Sequence, residues 1–110
     1  DFLFVDDMAK SAIHVMNLDK KTYNEQVSSI CSHINVGSGK DISIKELSET
    51  IKEVVGFKGE IYFDSTKPDG VHRKFLDSNR INNLGFEPQI SLKEGLMKTY
   101  QNFIKFNANF

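Results

Sequence analysis

One segment is punctuated at both ends, and it constrains the fold more than any other. Ser43-Ile44-Lys45-Glu46 matches a capping box, in which the serine hydroxyl and the Glu side chain each satisfy a backbone N–H of the first turn. Ile44, Leu47, Ile51, Val54 and Val55 then make one apolar stripe at helical spacing, and Gly56 stands where a left-handed residue ends a helix. The spacing predicts a helix over 44–55 with one face to bury. It also resembles the first helix of a helix-turn-helix, but Glu60 to Asp64 follows with the alternation of a strand rather than a recognition helix, so that reading is rejected.

The other elements are read the same way. Phe2 to Val5 is a strand-like apolar run followed by Asp6-Asp7, either of which can cap a helix, and Ala9, Ala12, Ile13 and Met16 predict that helix from about Met8 to Leu18. Residues 19–31 are polar and read as a loop with at most a helical turn. Ser32 to Gly37 alternates and stops at Gly-Ser-Gly, which predicts a strand meeting a turn; Glu60 to Asp64 predicts a second strand. Asp77 or Ser78 opens a short helix through Leu84 that Gly85 closes, and a second capping box at Ser91 and Glu94 starts a helix to about Phe106. The order is mixed α and β, with too few strands for a free-standing doubly wound sheet. At 110 residues the chain is one domain or part of one, with 39% hydrophobic residues and nine Phe to fill a modest core. It opens on the strand-like run without an initiator Met, as an excised fragment would.

Composition narrows the function classes. A formal net charge of −1 and no basic stripe argue against nucleic acid as the main partner. A single cysteine, Cys31, excludes an internal disulfide framework and fits a reducing cytoplasm. No apolar run approaches the ~20 residues of a membrane span, and the N-terminal residues lack a signal-peptide pattern. His14, His33 and His72 have no second ligand at helical spacing, which argues against a metal site; His14 is placed on the polar side of its helix.

The chemistry concentrates in Lys67-Pro68-Asp69-Gly70-Val71-His72-Arg73-Lys74-Phe75-Leu76-Asp77. In one reading this is an anion clamp: Arg73 and Lys74 hold phosphate oxygens, Asp69 fixes the turn or a ligand hydroxyl, and Asp77 caps the next helix. His72 is the histidine closest to such a ligand. In the other reading it is a solvated loop whose charges pair with Asp64 and Asp69. Each charge-assisted hydrogen bond contributes about 1.5–3 kcal/mol if water is excluded, against about 0–1 kcal/mol for an exposed pair. Asn35-Val36-Gly37-Ser38-Gly39 admits two readings as well: a tight strand-to-helix turn, or backbone around Val36 approaching a flat base or ribose. It lacks the Gly-Lys-Ser/Thr ending of a phosphate cradle. There is no Gly-x-Gly-x-x-Gly, no Tyr-x-x-x-Lys pair, and no Ser-His-Asp or Cys-His constellation, so no catalytic residue is assigned.

Taken together, Phe2-Leu3-Phe4-Val5-Asp6-Asp7-Met8-Ala9, His33 to Gly39, the Lys67–Asp77 run and Leu84-Gly85-Phe86 through Ser91-Leu92-Lys93-Glu94-Gly95-Leu96 carry a resemblance. From residue 1 to about 105 they resemble the C-terminal third of the GDP-fucose branch of the extended short-chain dehydrogenases/reductases, enzymes with an NAD(P)-binding Rossmann fold. The resemblance implies the GDP-sugar-binding lobe of an NADPH-dependent enzyme that epimerises GDP-4-keto-6-deoxy-D-mannose at C3 and C5 and then reduces C4. It implies that NADP and the Tyr/Lys pair belong to an upstream Rossmann part, as do the Cys and His of epimerisation, so Cys31 and His33 are not given those roles. It puts Arg73 and Lys74 against the diphosphate, Asp69 in the shaping of the loop, and Asn35 and Val36 near the nucleotide. The fragment alone is expected to be inactive and the full-length enzyme a homodimer. Two departures stand out: the Arg that usually precedes the first run falls outside the chain, and His72 replaces a common Pro. Related enzymes of GDP-heptose or colitose precursors, relatives using UDP- or dTDP-sugars, and a non-catalytic nucleotide-sugar-binding module remain as alternatives.

Overall fold

The computed structural model describes residues 1–71 and 73–107. These form five helices in chain order: α1 (Val5–Met16), α2 (Lys20–Gln26), α3 (Ile44–Val55), α4 (Asn79–Asn83) and α5 (Leu92–Asn107). The chain divides into two compact units, one of Asp1–Lys40 with Phe75–Ile90, the other of Asp41–Lys74 with Ser91–Phe110.

Neither predicted strand forms among the described residues: 32–37 and 60–64 are irregular. Alternating side chains favour an extended backbone, but a strand exists only when a neighbour completes its hydrogen-bond ladder. The mixed α and β expectation is therefore not met within these residues, which are helical and irregular.

In the first unit α1 begins at Val5, with Phe4 at the N-cap position and no side-chain cap. Asp6 and Asp7 lie in its first turn, where acidic groups favour the helix dipole, rather than at the cap expected of them. α1 keeps the expected helical period but buries a different face. Ile13 and Met16 are exposed, as are Ala9 and Ala12, while Asp7 and Ser11 are buried and His14, Val15 and Leu18 half-buried. His14 thus turns inward instead of to solvent. Its Nε2 lies 2.8 Å from the Leu84 carbonyl oxygen, with its ring tilted against Phe86 at 5.7 Å between centroids. Asp7 is fully buried because its Oδ2 accepts from the Gln89 and Ile90 N–H groups at 3.0 and 2.8 Å, with Lys10 Nζ 3.8 Å from Oδ1. Residues 19–31, expected as a loop, hold α2, which Asp19 caps by accepting from Thr22 N–H at 2.9 Å. α4 follows Asp77, whose carboxylate accepts from Asn79 N–H at 3.0 Å, and ends where Phe86 N–H reaches the Ile81 carbonyl.

In the second unit α3 forms as its sequence dictates. Ser43 Oγ accepts from Glu46 N–H at 3.1 Å while Glu46 Oε2 accepts from Ser43 N–H at 3.0 Å. At the other end Gly56 adopts φ +68°, letting Phe57 N–H bond the Lys52 carbonyl and Gly56 N–H that of Glu53, which satisfies two orphan carbonyls. α3 packs on α5, where Lys93 Nζ lies 2.6 Å from Glu53 Oε1. The second capping box forms by half: Ser91 Oγ accepts from Glu94 N–H, but the Glu94 carboxylate pairs with Lys98 at 2.8 Å.

The expected Phe-rich core is small. Among the described residues only Ile81 and Phe86 are buried apolar side chains, both in the first unit, while Phe57, Phe63, Phe75, Phe103 and Phe106 are exposed.

Candidate functional site

The cationic run begins with a turn, though not the one its Pro-Asp-Gly suggests. Asp64 accepts from Thr66 N–H at 2.9 Å and from Thr66 Oγ1 at 2.6 Å, and Lys67 N–H reaches the Asp64 carbonyl. A short acid bonding the backbone two residues on mimics a turn by itself, so the reversal falls at Asp64–Lys67. These bonds, the hydroxyl's first, hold the Asp64 carboxyl below its ordinary value near 3.8. Gly70 keeps a negative φ and Asp69 is exposed beyond the turn rather than within it. His72 lies outside the described residues, so its expected position near a ligand has no structural counterpart.

Arg73 and Lys74 are exposed, and the Arg73 partner differs from the acids of its own loop. Its Nε donates to Asp41 Oδ2, neither to Asp64 nor to Asp69. Asp41 lies 32 residues away in sequence and carries no motif; only folding brings the two together. Arg73 and Asp41, with Ile42, Ser43 and Glu46, line a cleft of about 300 Å³ at the start of α3. Among the described residues Arg73 is the one cation in that lining, set among two carboxylates. Glu46 is committed to the capping box: the Ser43 hydroxyl and then the Ser43 N–H hold its carboxyl below the ordinary value near 4.5, with burial and the Asp41 charge opposing.

The other predicted ligand-facing residues belong to the first unit. Asn35 is exposed, and Val36 lines an apolar groove of about 380 Å³ with Met8, Val15, Tyr23 and Ile34. Next to it Gly37 is buried so tightly that an added Cβ would lie 2.3 Å from Asp1 Oδ2. Asp1 Oδ1 accepts from Ser38 N–H at 2.8 Å. The Asp1 carboxylate thus takes the Ser38 N–H that a phosphate cradle would offer to its ligand. Cys31 Sγ lies 3.6 Å from His33 Nδ1, a local contact across two residues on an exposed loop. Among the described residues no group of three or more His, Cys, Asp or Glu is placed to hold a metal ion, and no helix is long and apolar enough to cross a membrane.

No family model matches the chain. It is 49% identical over all 110 residues to GDP-L-fucose synthase of Escherichia coli K12, of which it covers 34%. Two solved structures from Campylobacter jejuni are similar in fold and sequence. A GDP-6-OMe-4-keto-L-xylo-heptose reductase matches 92% of the chain at TM-score 0.81 and 37% identity, and the match takes up 29% of that protein. A GDP-mannoheptose C4 reductase, solved with NADP bound, matches 87% of the chain at TM-score 0.71 and 38% identity, over 28% of its own length. The chain thus spans about a third of the length of the relatives it matches.

Proposed function

We propose that these residues are the GDP-sugar-binding part of an NADP-dependent epimerase/reductase that converts GDP-4-keto-6-deoxy-D-mannose to GDP-L-fucose. The observation that carries this is the 49% identity over the whole chain to a GDP-L-fucose synthase. In this reading the chain is a C-terminal lobe of a larger α/β protein. NADP is bound by a Rossmann part outside these residues, and the complete enzyme is a cytoplasmic homodimer. The exposed Ile13 and Met16 of α1 and Phe103 and Phe106 of α5 support it, since large apolar side chains left open in number mark surfaces that another part covers. So do the strand-patterned segments 32–37 and 60–64, which lack a ladder here.

Arg73 and Lys74 then bind the diphosphate, with Asp69 shaping the loop beside them. Asn35 and Val36 contribute to the nucleotide side, where the apolar groove gives a flat ring a surface to lie on. Substitution of Arg73 in the full-length protein tests the assignment. Loss of one charge-assisted contact of about 1.5–3 kcal/mol makes Arg73→Ala raise KM for the GDP-sugar about 10- to 150-fold, with KM for NADPH unchanged. Equal effects on both constants would refute a substrate-side role.

A second reading is favoured by the two heptose reductases: the same lobe serving a GDP-linked 4-keto heptose. Comparing kcat/KM for the 6-deoxy-hexose and heptose substrates decides between them. Turnover of neither, with GDP still bound, would leave a non-catalytic binding module.

A further inference from the structure

We infer that Asp41 is a positioning residue: a resident counter-ion that holds Arg73 at the cleft until the diphosphate of a GDP-sugar displaces it. The inference rests on the reading of Arg73 as a diphosphate ligand. A guanidinium donates to a carboxylate or a phosphate oxygen in the same geometry, so the Arg73 Nε contact to Asp41 Oδ2 is the contact that a phosphate oxygen would replace. Both side chains are open to solvent, 61% for Arg73 and 38% for Asp41, so the pair is cheap to break and reachable by a ligand.

The two carboxylates of the cleft differ in how firmly they are held. Glu46 caps α3 through Ser43 N–H and Oγ and cannot leave without uncapping the helix. Among the described residues Asp41 has its Oδ1 on Ile42 N–H besides the Arg73 contact, so it can release Arg73 without dismantling an element. Arg73 is the one cation among the described lining residues, and an incoming diphosphate reaches it by exchange with Asp41. Asp41 thereby keeps Arg73 in place before binding and competes with the anion for it.

Calorimetric titration of GDP into the full-length protein tests this with wild type, Asp41→Asn, Asp41→Ala, Arg73→Ala and the Asp41→Asn/Arg73→Ala pair. Removing a counter-ion of an exposed pair tightens Kd for GDP about three- to fivefold in both Asp41 variants, and raised salt shrinks the gain. The double variant binds like Arg73→Ala alone, because Asp41 acts only through Arg73. Asp41 variants that bind GDP as wild type or more weakly, while Arg73→Ala still loses affinity, overturn the counter-ion role and leave the diphosphate reading standing. An Arg73→Ala protein with unchanged GDP affinity overturns both.

Discussion

Asp7 carries the sharpest stability prediction. Its side chain is fully buried and its Oδ2 takes the N–H groups of Gln89 and Ile90, residues more than 80 positions away, at 3.0 and 2.8 Å. Asp7→Ala removes both hydrogen bonds at once. A hydrogen bond to a charged group contributes about 1.5–3 kcal/mol, so two amount to about 3–6 kcal/mol if the donors stay dry. Gln89 is exposed and Ile90 half-buried, so water recovers part of this and the loss settles near the lower end, about 3 kcal/mol. Asp7→Asn keeps one acceptor oxygen and should fall between, whereas exposed Asp6→Ala should lie within about 0.5 kcal/mol of wild type. Urea denaturation of the full-length protein, read as a shift in midpoint at constant slope, measures all three. An Asp7→Ala protein as stable as Asp6→Ala would refute the clamp.

Two smaller effects belong to α3. Gly56 has φ +68° with nothing within 4 Å of an added Cβ, so Gly56→Ala costs conformational strain alone, about 1 kcal/mol, measurable in the same denaturation assay. The Glu46 carboxyl is depressed in the folded state, so its contribution is complete above the unfolded value near 4.5 and is lost as pH falls through the lower folded value. NMR titration of the Glu46 carboxyl should return it toward 4.5 in Ser43→Ala and depress it further in Asp41→Asn, because the Asp41 charge opposes the shift.

Legibility in the sequence followed the range of the interactions. Both ends of α3 were readable because a capping box and a left-handed glycine are satisfied within four residues of chain. The Asp77 contact before α4 was readable for the same reason. α2 is not legible although Asp19 and Thr22 carry a short-range cap signal, since the polar run around them offers no apolar periodicity. The candidate site divides likewise: Arg73 and Lys74 stand out as a cationic run, while Asp41, which pairs with Arg73, has no local mark at all.

Local chemistry along the chain therefore determined where helices start and stop and which residues carry charge suited to an anion. Tertiary structure decided which way those residues face. It turned α1 so that Asp7, Ser11 and His14 point inward and Ile13 and Met16 outward, and it left the alternating segments without a ladder. The physical reason is that helix ends and turns close over three or four residues. The face a helix buries, the partner a strand finds and the counter-ion an arginine holds are set by groups dozens of residues away, whose positions no local pattern records.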